Sequence, residues 1–256
     1  MNVLVVLATI LFLLMVLIGG KKGAKSFISL FLNFGVLLIT ILFMNNPNNS
    51  PIILTIIACV VISCISLFYI NEVNRKTIAA FISTIITIVI LLFFIVVVAK
   101  KSMIQGFGEE EIDELSIFSL YIGVDFVKIV ASVIIMSTIG AIMDVAISIS
   151  ATMHKIFSHN PLISRKDLFA SGISIGRDIL GADTNTLFFA FFGGYLALLL
   201  WFKDLSYSIG EIVNSKVFSA EIIMILCAGI GIALSIPIAS WISAYFIMKT
   251  TEKKKV

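Results

Sequence analysis

The chain has 256 residues, of which 60% are hydrophobic and 13% charged, and its formal net charge is +3; its mean hydropathy is +1.15. A water-soluble domain carries about 25% charged residues, so the solvent for most of this surface is lipid. Nucleic acid is disfavoured as a partner, because no basic stripe sits on a recognisable binding module.

The three cysteines, Cys59, Cys64 and Cys227, all lie inside apolar runs. They read as small packing residues, since neither disulfide nor metal-site spacing is present. The first apolar run, Asn2–Ile18, has its basic residues after it (Lys21, Lys22 and Lys25) and no A-x-A-like site at its end. A retained helix is expected there, not a cleaved signal peptide.

A helix needs about 20 apolar residues to cross the hydrocarbon core. The expected fold class is an all-α bundle with seven spans: Asn2–Ile18, Ser26–Met44, Pro51–Ile70, Thr77–Ala99, Phe126–Ile149, Ala182–Phe202 and Ala220–Met248. Together they form a single integral membrane domain. The joining segments are Lys21–Lys25, Asn45–Ser50, Asn71–Lys76, a mostly acidic loop Lys100–Leu115, a long loop His154–Gly181 and Lys203–Ser219.

Alternating these loops places Lys21, Lys22, Lys25, Arg75, Lys76, Lys155, Arg165, Lys166, Arg177, Lys249, Lys253, Lys254 and Lys255 at one side, out of 18 basic residues in all. The opposite side holds Lys100, Lys101, Lys203 and Lys216, and Lys128 lies near the end of a span. That asymmetry predicts an outer N-terminus and an inner C-terminus. Asp125 and Lys128, three apart, are expected to pair at the start of the fifth span. The apolar Ser116–Gly123 is expected to lie along the outer interface. Within the long inner loop, Leu162, Lys166, Phe169, Ile173 and Ile175 have helix-like spacing, compatible with a short helix against the inner leaflet.

Asp144 is the costliest residue to place, because an acid at mid-helix costs about 2.5–3.5 kcal/mol on insertion scales. It shares a helical stripe with Ser137, Gly140, Ala141, Ser148 and Ala151. Small residues let another helix approach closely, and intramembrane acids mark polar paths or fix packing. The segment Gly172–Thr186 adds a dense set of polar groups, with Arg177 and Asp178 as an inner-loop motif. Asp183 is expected as the N-cap of the sixth span, and Thr184, Asn185 and Thr186 as the polar neighbours of Asp144. In the seventh span Pro237 is expected to free one backbone carbonyl.

Other chemistry finds little support. His154 and His159 lack further metal ligands, and Glu109, Glu110, Glu111, Asp113 and Glu114 read as a hydrated loop. No nucleotide-binding glycine loop and no H-E-x-x-H motif occurs, so no cofactor and no enzymatic activity is expected. A two-aspartate membrane protease built on Asp144 and Asp183 lacks the flanking residues such proteases carry.

Several blocks together resemble the YibE/F family of bacterial multi-pass membrane proteins: Ile18-Gly19-Gly20-Lys21-Lys22-Gly23, Gly140–Ile149, Ser171-Gly172, Gly176–Gly181 and Thr184-Asn185-Thr186-Leu187. The chain departs from the family's usual Gly-Thr-Met-Thr-Asn-Thr-Leu at Ala182 and Asp183. The resemblance is to the short, YibF-like member. It implies a bacterial cell membrane and a longer YibE-like protein as partner, in a homo- or hetero-oligomer. A looser similarity over 140–194 links Asp144 to the proton-carrying acids of proton-driven permeases, as an analogy. The expected function is a transporter or permease-type subunit sensitive to protons. The alternative is a non-enzymatic assembly or scaffold subunit.

Overall fold

A computed structural model describes residues 2–106 and 125–254, and every regular element among them is a helix. Expectations for Glu109–Glu111, Asp113, Glu114 and Ser116–Gly123 fall outside the described residues. We number the helices α1 (Val3–Met44), α2 (Pro51–Cys64, continued by a π turn over Ile65–Tyr69), α3 (Arg75–Lys101), α4 (Phe126–His159), α5 (Arg165–Gly194), α6 (Leu196–Asp204), α7 (Ile209–Asn214) and α8 (Lys216–Lys254).

The starts of these helices are written in short-range chemistry. Asn2 caps α1 through Leu4, and Pro51 opens α2 where its missing N–H costs nothing. Asn74 and Thr77 close a reciprocal capping box on α3. Asp125 accepts from the amides of Val127 and Lys128 at the start of α4, and its carboxylate pairs with the Lys128 ammonium at 3.1 Å, as the spacing predicts. Partial burial works against the charged form of Asp125. The Lys128 ammonium and these amides outweigh it and hold the carboxyl below the usual carboxylate range.

Although α1 is one element by hydrogen bonding, it doubles back at Gly20, which adopts φ 55° and ψ −136°. A straight helix would hold Phe12 and Phe27 roughly 22 Å apart, yet their ring centroids are 5.0 Å apart. The carbonyl of Met15 occupies the space a side chain at Gly23 would need. Both glycines are therefore required: one for the left-handed turn, the other for the close return. The two arms coincide with the first two expected spans.

Among the described residues five helices are long and apolar enough to cross a membrane, and α5 with α6, bent by 53° at their junction, makes a sixth if the pair is one span. Large apolar side chains stand exposed on their outer faces, Ile18 at 87% and Phe93 at 72%. Surface of that kind belongs against hydrocarbon chains.

At the centre α4 packs against both α3 and α8; α2 and α1 lie on one flank and α5 on the other. One half of the core gathers Cys59, Leu91, Ile95, Ile134, Ile142 and Cys227. The other gathers Leu67, Val145, Ile149, Met153, Leu168 and Ile236. Cys59, Cys64 and Cys227 are free, and the first and last are buried packing residues as expected. Buried hydroxyls bond back to their own helices, as Ser83, Thr84 and Thr87 do along α3. Such bonds satisfy the polar group without a partner in the apolar core.

The segment expected as a long inner loop with a surface helix is different. Helix α4 continues to His159, a turn covers 160–164, and α5 starts at Arg165 with Ser164 as its cap. The amphipathic half of α5 does not stand apart as a short helix, because its stripe of Leu168, Gly172 and Gly176 is buried. An added Cβ at Gly172 would lie 2.6 Å from Ser240 Oγ and 2.7 Å from Met153 Sδ, and one at Gly176 would run into Ile236. Only glycine permits this approach to α8, on the turns flanking Pro237, through which α8 continues as one helix. At the same level Ser150 and Ser243 share a hydrogen bond of 2.8 Å between α4 and α8.

A Gly176→Val substitution is expected to destabilise the detergent-solubilised protein by about 1–3 kcal/mol through overpacking. Gly140→Ala should leave its thermal unfolding within about 0.5 kcal/mol, because a Cβ there meets nothing within 4 Å. Melting curves of the two variants check the contrast.

Candidate functional site

Helix α4 buries Ile142, Val145 and Ile149 completely. A helical step of 100° then turns Ser137, Asp144 and Ser148 outward, and all three are exposed, with Gly140 and Ala141 half-buried beside them. Asp144 thus lies on the outer face of the single chain, roughly 27 Å along α4 from its Phe126 end.

The antiparallel run of α5 brings Asp183 to the same level. Asp183 is half-buried on α5, which packs against α4. Neither acid forms an ion pair among the described residues, where the pair found is Asp125–Lys128. In a medium of low dielectric, two like charges held near one another interact far more strongly than in water.

The other expected members fall elsewhere. Asp183 is not a cap, because α5 begins at Ser164, whose hydroxyl accepts from the Asp167 amide. Thr184 turns toward α8, where a Cβ on Gly229 would meet its methyl at 3.7 Å. Asn185 is exposed, and Thr186 donates to the carbonyl of Ala182 within its own helix at 2.9 Å. Arg177 and Asp178 are exposed on the α5 surface nearer the α4–α5 turn. Of these residues, Asp183 is the half-buried acid on α5, and it is one of the two positions at which the sequence departs from the expected family motif.

A second polar pair went unread in the sequence. The Tyr195 hydroxyl donates to Glu221 Oε1 at 2.7 Å. Tyr195 stands at the break between α5 and α6, with φ −107° and ψ 15°, and Glu221 lies one turn into α8. The signal for Glu221 was present, as an acid one residue inside the seventh expected span. Its partner carried none, since the pairing depends on where α5 breaks. A cavity of about 330 Å³ opens beside them. A larger one, about 770 Å³, lies between the second arm of α1, α2 and α4. Its four wall hydroxyls, on Thr40, Thr55, Ser132 and Ser137, all bond to carbonyls of their own helices. It presents an apolar interior.

Toward one end of the bundle, basic side chains meet tyrosine rings. The Lys25 ammonium lies 5.8 Å from the Tyr69 centroid, and Arg165 and Lys249 lie 5.2 Å and 5.4 Å from that of Tyr245. Cations over aromatic faces suit a membrane–water boundary, where one side of the ring is wet. Among the described residues no group of three or more His, Cys, Asp or Glu side chains is placed to hold a metal ion.

A geometric check follows. In a variant without native cysteines, Asp144→Cys combined with Asp183→Cys should cross-link readily with a short bifunctional thiol reagent. Asp144→Cys combined with Thr184→Cys should cross-link far less, because Thr184 faces α8. Equal yields, read on denaturing gels, would contradict the register described here.

The chain matches the family model described as YibE/F-like protein over residues 7–249. No curated protein and no solved structure matches the chain.

Proposed function

The chain belongs to the YibE/F-like family, and on that footing we propose that this membrane protein is a transport-type subunit in which Asp144, faced by Asp183, is the proton-sensitive group. The observation that carries the reading is the carboxyl pair itself. Asp144 on α4 and Asp183 on α5 lie on helices that pack together, and no cation is paired with either among the described residues. Intramembrane acids are costly, and they serve proton relays and ion paths far more often than lipid-facing decoration. Proton uptake by one carboxyl relieves the repulsion, so protonation changes the force between α4 and α5. That coupling of a proton to helix position is what a proton-driven carrier needs.

Orientation enters the proposal through charge. The turn at Gly20, the 70–74 connection, the 160–164 turn and the C-terminal end of α8 alternate to one side of the bundle, where Lys25, Arg165 and Lys249 meet their tyrosines. The positive-inside rule assigns that side to the cytoplasm, giving seven crossings of the bacterial cell membrane with the N-terminus outside. Single cysteines replacing Asn48 or Lys101 should then react with an impermeant thiol reagent in intact cells. Cysteines replacing Lys22 or His159 should react only after lysis. Labelling of the His159 position in intact cells would reverse the orientation.

A second reading draws on a separate observation. Ser137, Asp144 and Ser148 stand exposed beside half-buried Gly140 and Ala141, a small and polar face suited to a helix of another subunit. On this reading the protein is an assembly subunit, with a second copy or a longer YibE-like protein as its neighbour. The same residues would then hold helices together without moving protons.

One pair of variants separates the readings. Asp144→Asn keeps shape and hydrogen bonding but removes the titrating group; Asp144→Ala removes both. The transport reading expects both variants to lose proton flux in vesicles loaded with a pH-sensitive dye, under an imposed potassium diffusion potential. Full flux in Asp144→Asn, or no flux above empty vesicles in the native protein, would overturn that reading. The assembly reading expects Asp144→Ala, and not Asp144→Asn, to reduce the oligomer in mild detergent.

A further inference from the structure

The cavity of about 330 Å³ is lined by Ile104 and Gly106 beyond the end of α3, the early turns of α4, the break between α5 and α6, and the first turns of α8. Its walls are mostly aliphatic, with Val130, Ile134 and Met224 prominent. Two polar groups of the same cavity, Tyr195 and Glu221, are joined by the 2.7 Å hydrogen bond. The phenol therefore fixes the direction of the carboxylate. The Tyr195 ring is itself held, because it packs on the buried Phe191 at 5.3 Å, and Phe191 meets Phe218 at 5.7 Å.

The volume lies at the lower end of the range for small-molecule sites, and a mostly apolar wall with a few fixed polar groups is their usual make-up. An acid inside the wall repels anions. A metal ion would need several more oxygen ligands than one carboxylate and one phenol supply. What suits an aromatic face, a carboxylate, a thioether and aliphatic walls is a cation that carries its own apolar surface. Lys216 lines the cavity as well and is exposed, roughly 7 Å along α8 from Glu221.

We propose that this cavity is a binding site for small lipophilic organic cations, with the Glu221 carboxylate as their counter-ion and the Tyr195 ring as one wall. The site is separate from the Asp144–Asp183 pair, and its occupancy does not depend on proton flux.

Equilibrium binding of benzyltrimethylammonium to the detergent-purified full chain, measured by calorimetry with benzyl alcohol as the neutral control, tests the proposal. Saturable binding of the cation and none of the alcohol is expected. Glu221→Gln should weaken the cation on the order of tenfold or more, and Tyr195→Phe by roughly threefold, as expected from loss of the charge and of its positioning bond. Met224→Phe fills the cavity from another wall with Glu221 intact and should also abolish binding. It thereby guards against a Glu221→Gln variant that fails to fold, which its thermal melt would reveal. Absence of saturable binding by the native chain overturns the site, as does unchanged affinity in folded Glu221→Gln. Binding that follows these variants in a protein without proton flux would keep the site while removing the transport reading.

Discussion

The contact on which the rest depends is the approach of α5 to α8 at Gly172 and Gly176. Any side chain at either position would overlap Ser240, Met153 or Ile236. With hydrogen there instead, α5 lies along the α8 surface for several turns, and its amphipathic first half becomes part of the bundle. An interfacial helix would have left residues 165–181 flat and begun a fresh span near Asp183. Because α5 is continuous, position 183 falls on its half-buried side, while 185 and 186 fall on the exposed side.

Polar groups in the bundle follow a consistent economy. Hydroxyls in the core bond to carbonyls one turn back, as in Thr55, Thr84 and Ser240, and ask nothing of neighbouring helices. Ser150 with Ser243 is an exception that ties α4 to α8. Carboxyl groups have no equivalent local solution, since a helix offers them no free donor past its first turn. At helix starts the carboxylate of Asp125 accepts from the Val127 amide, that of Asp167 from the Ser164 hydroxyl and that of Glu211 from the Ser208 amide. Asp144, Asp183 and Glu221 lie beyond the first turn of their helices, and of these Glu221 accepts from a tyrosine of another helix end.

Reversal at Gly20 and the short turn at 160–164 have a common effect on charge. Each lets two long helices return without a loop large enough to carry a domain, so the basic residues beside the turns are held against the helix ends. Tyr69 and Tyr245 receive them there. The basic asymmetry that the sequence displays along its length is thus gathered at one end of the bundle.

Composition and apolar run length determined by themselves that the chain is a helical membrane protein, because no arrangement of these residues could be hydrated. Local chemistry also set several helix starts and the Asp125–Lys128 pair, which involve neighbours three residues apart. Family membership was readable from short motifs at Gly19–Gly23, Gly140–Ile149 and Gly176–Gly181. Tertiary structure decided which polar residues meet. Asp183 is half-buried whereas Asn185 and Thr186 are exposed, because a helix turns 100° per residue and its phase is fixed by packing at Gly172 and Gly176, two to three turns away. Glu221 acquires its tyrosine because α5 breaks at residue 195. Hydropathy sees how deep a residue lies, but the azimuth of a side chain around its helix is set by contacts with other helices.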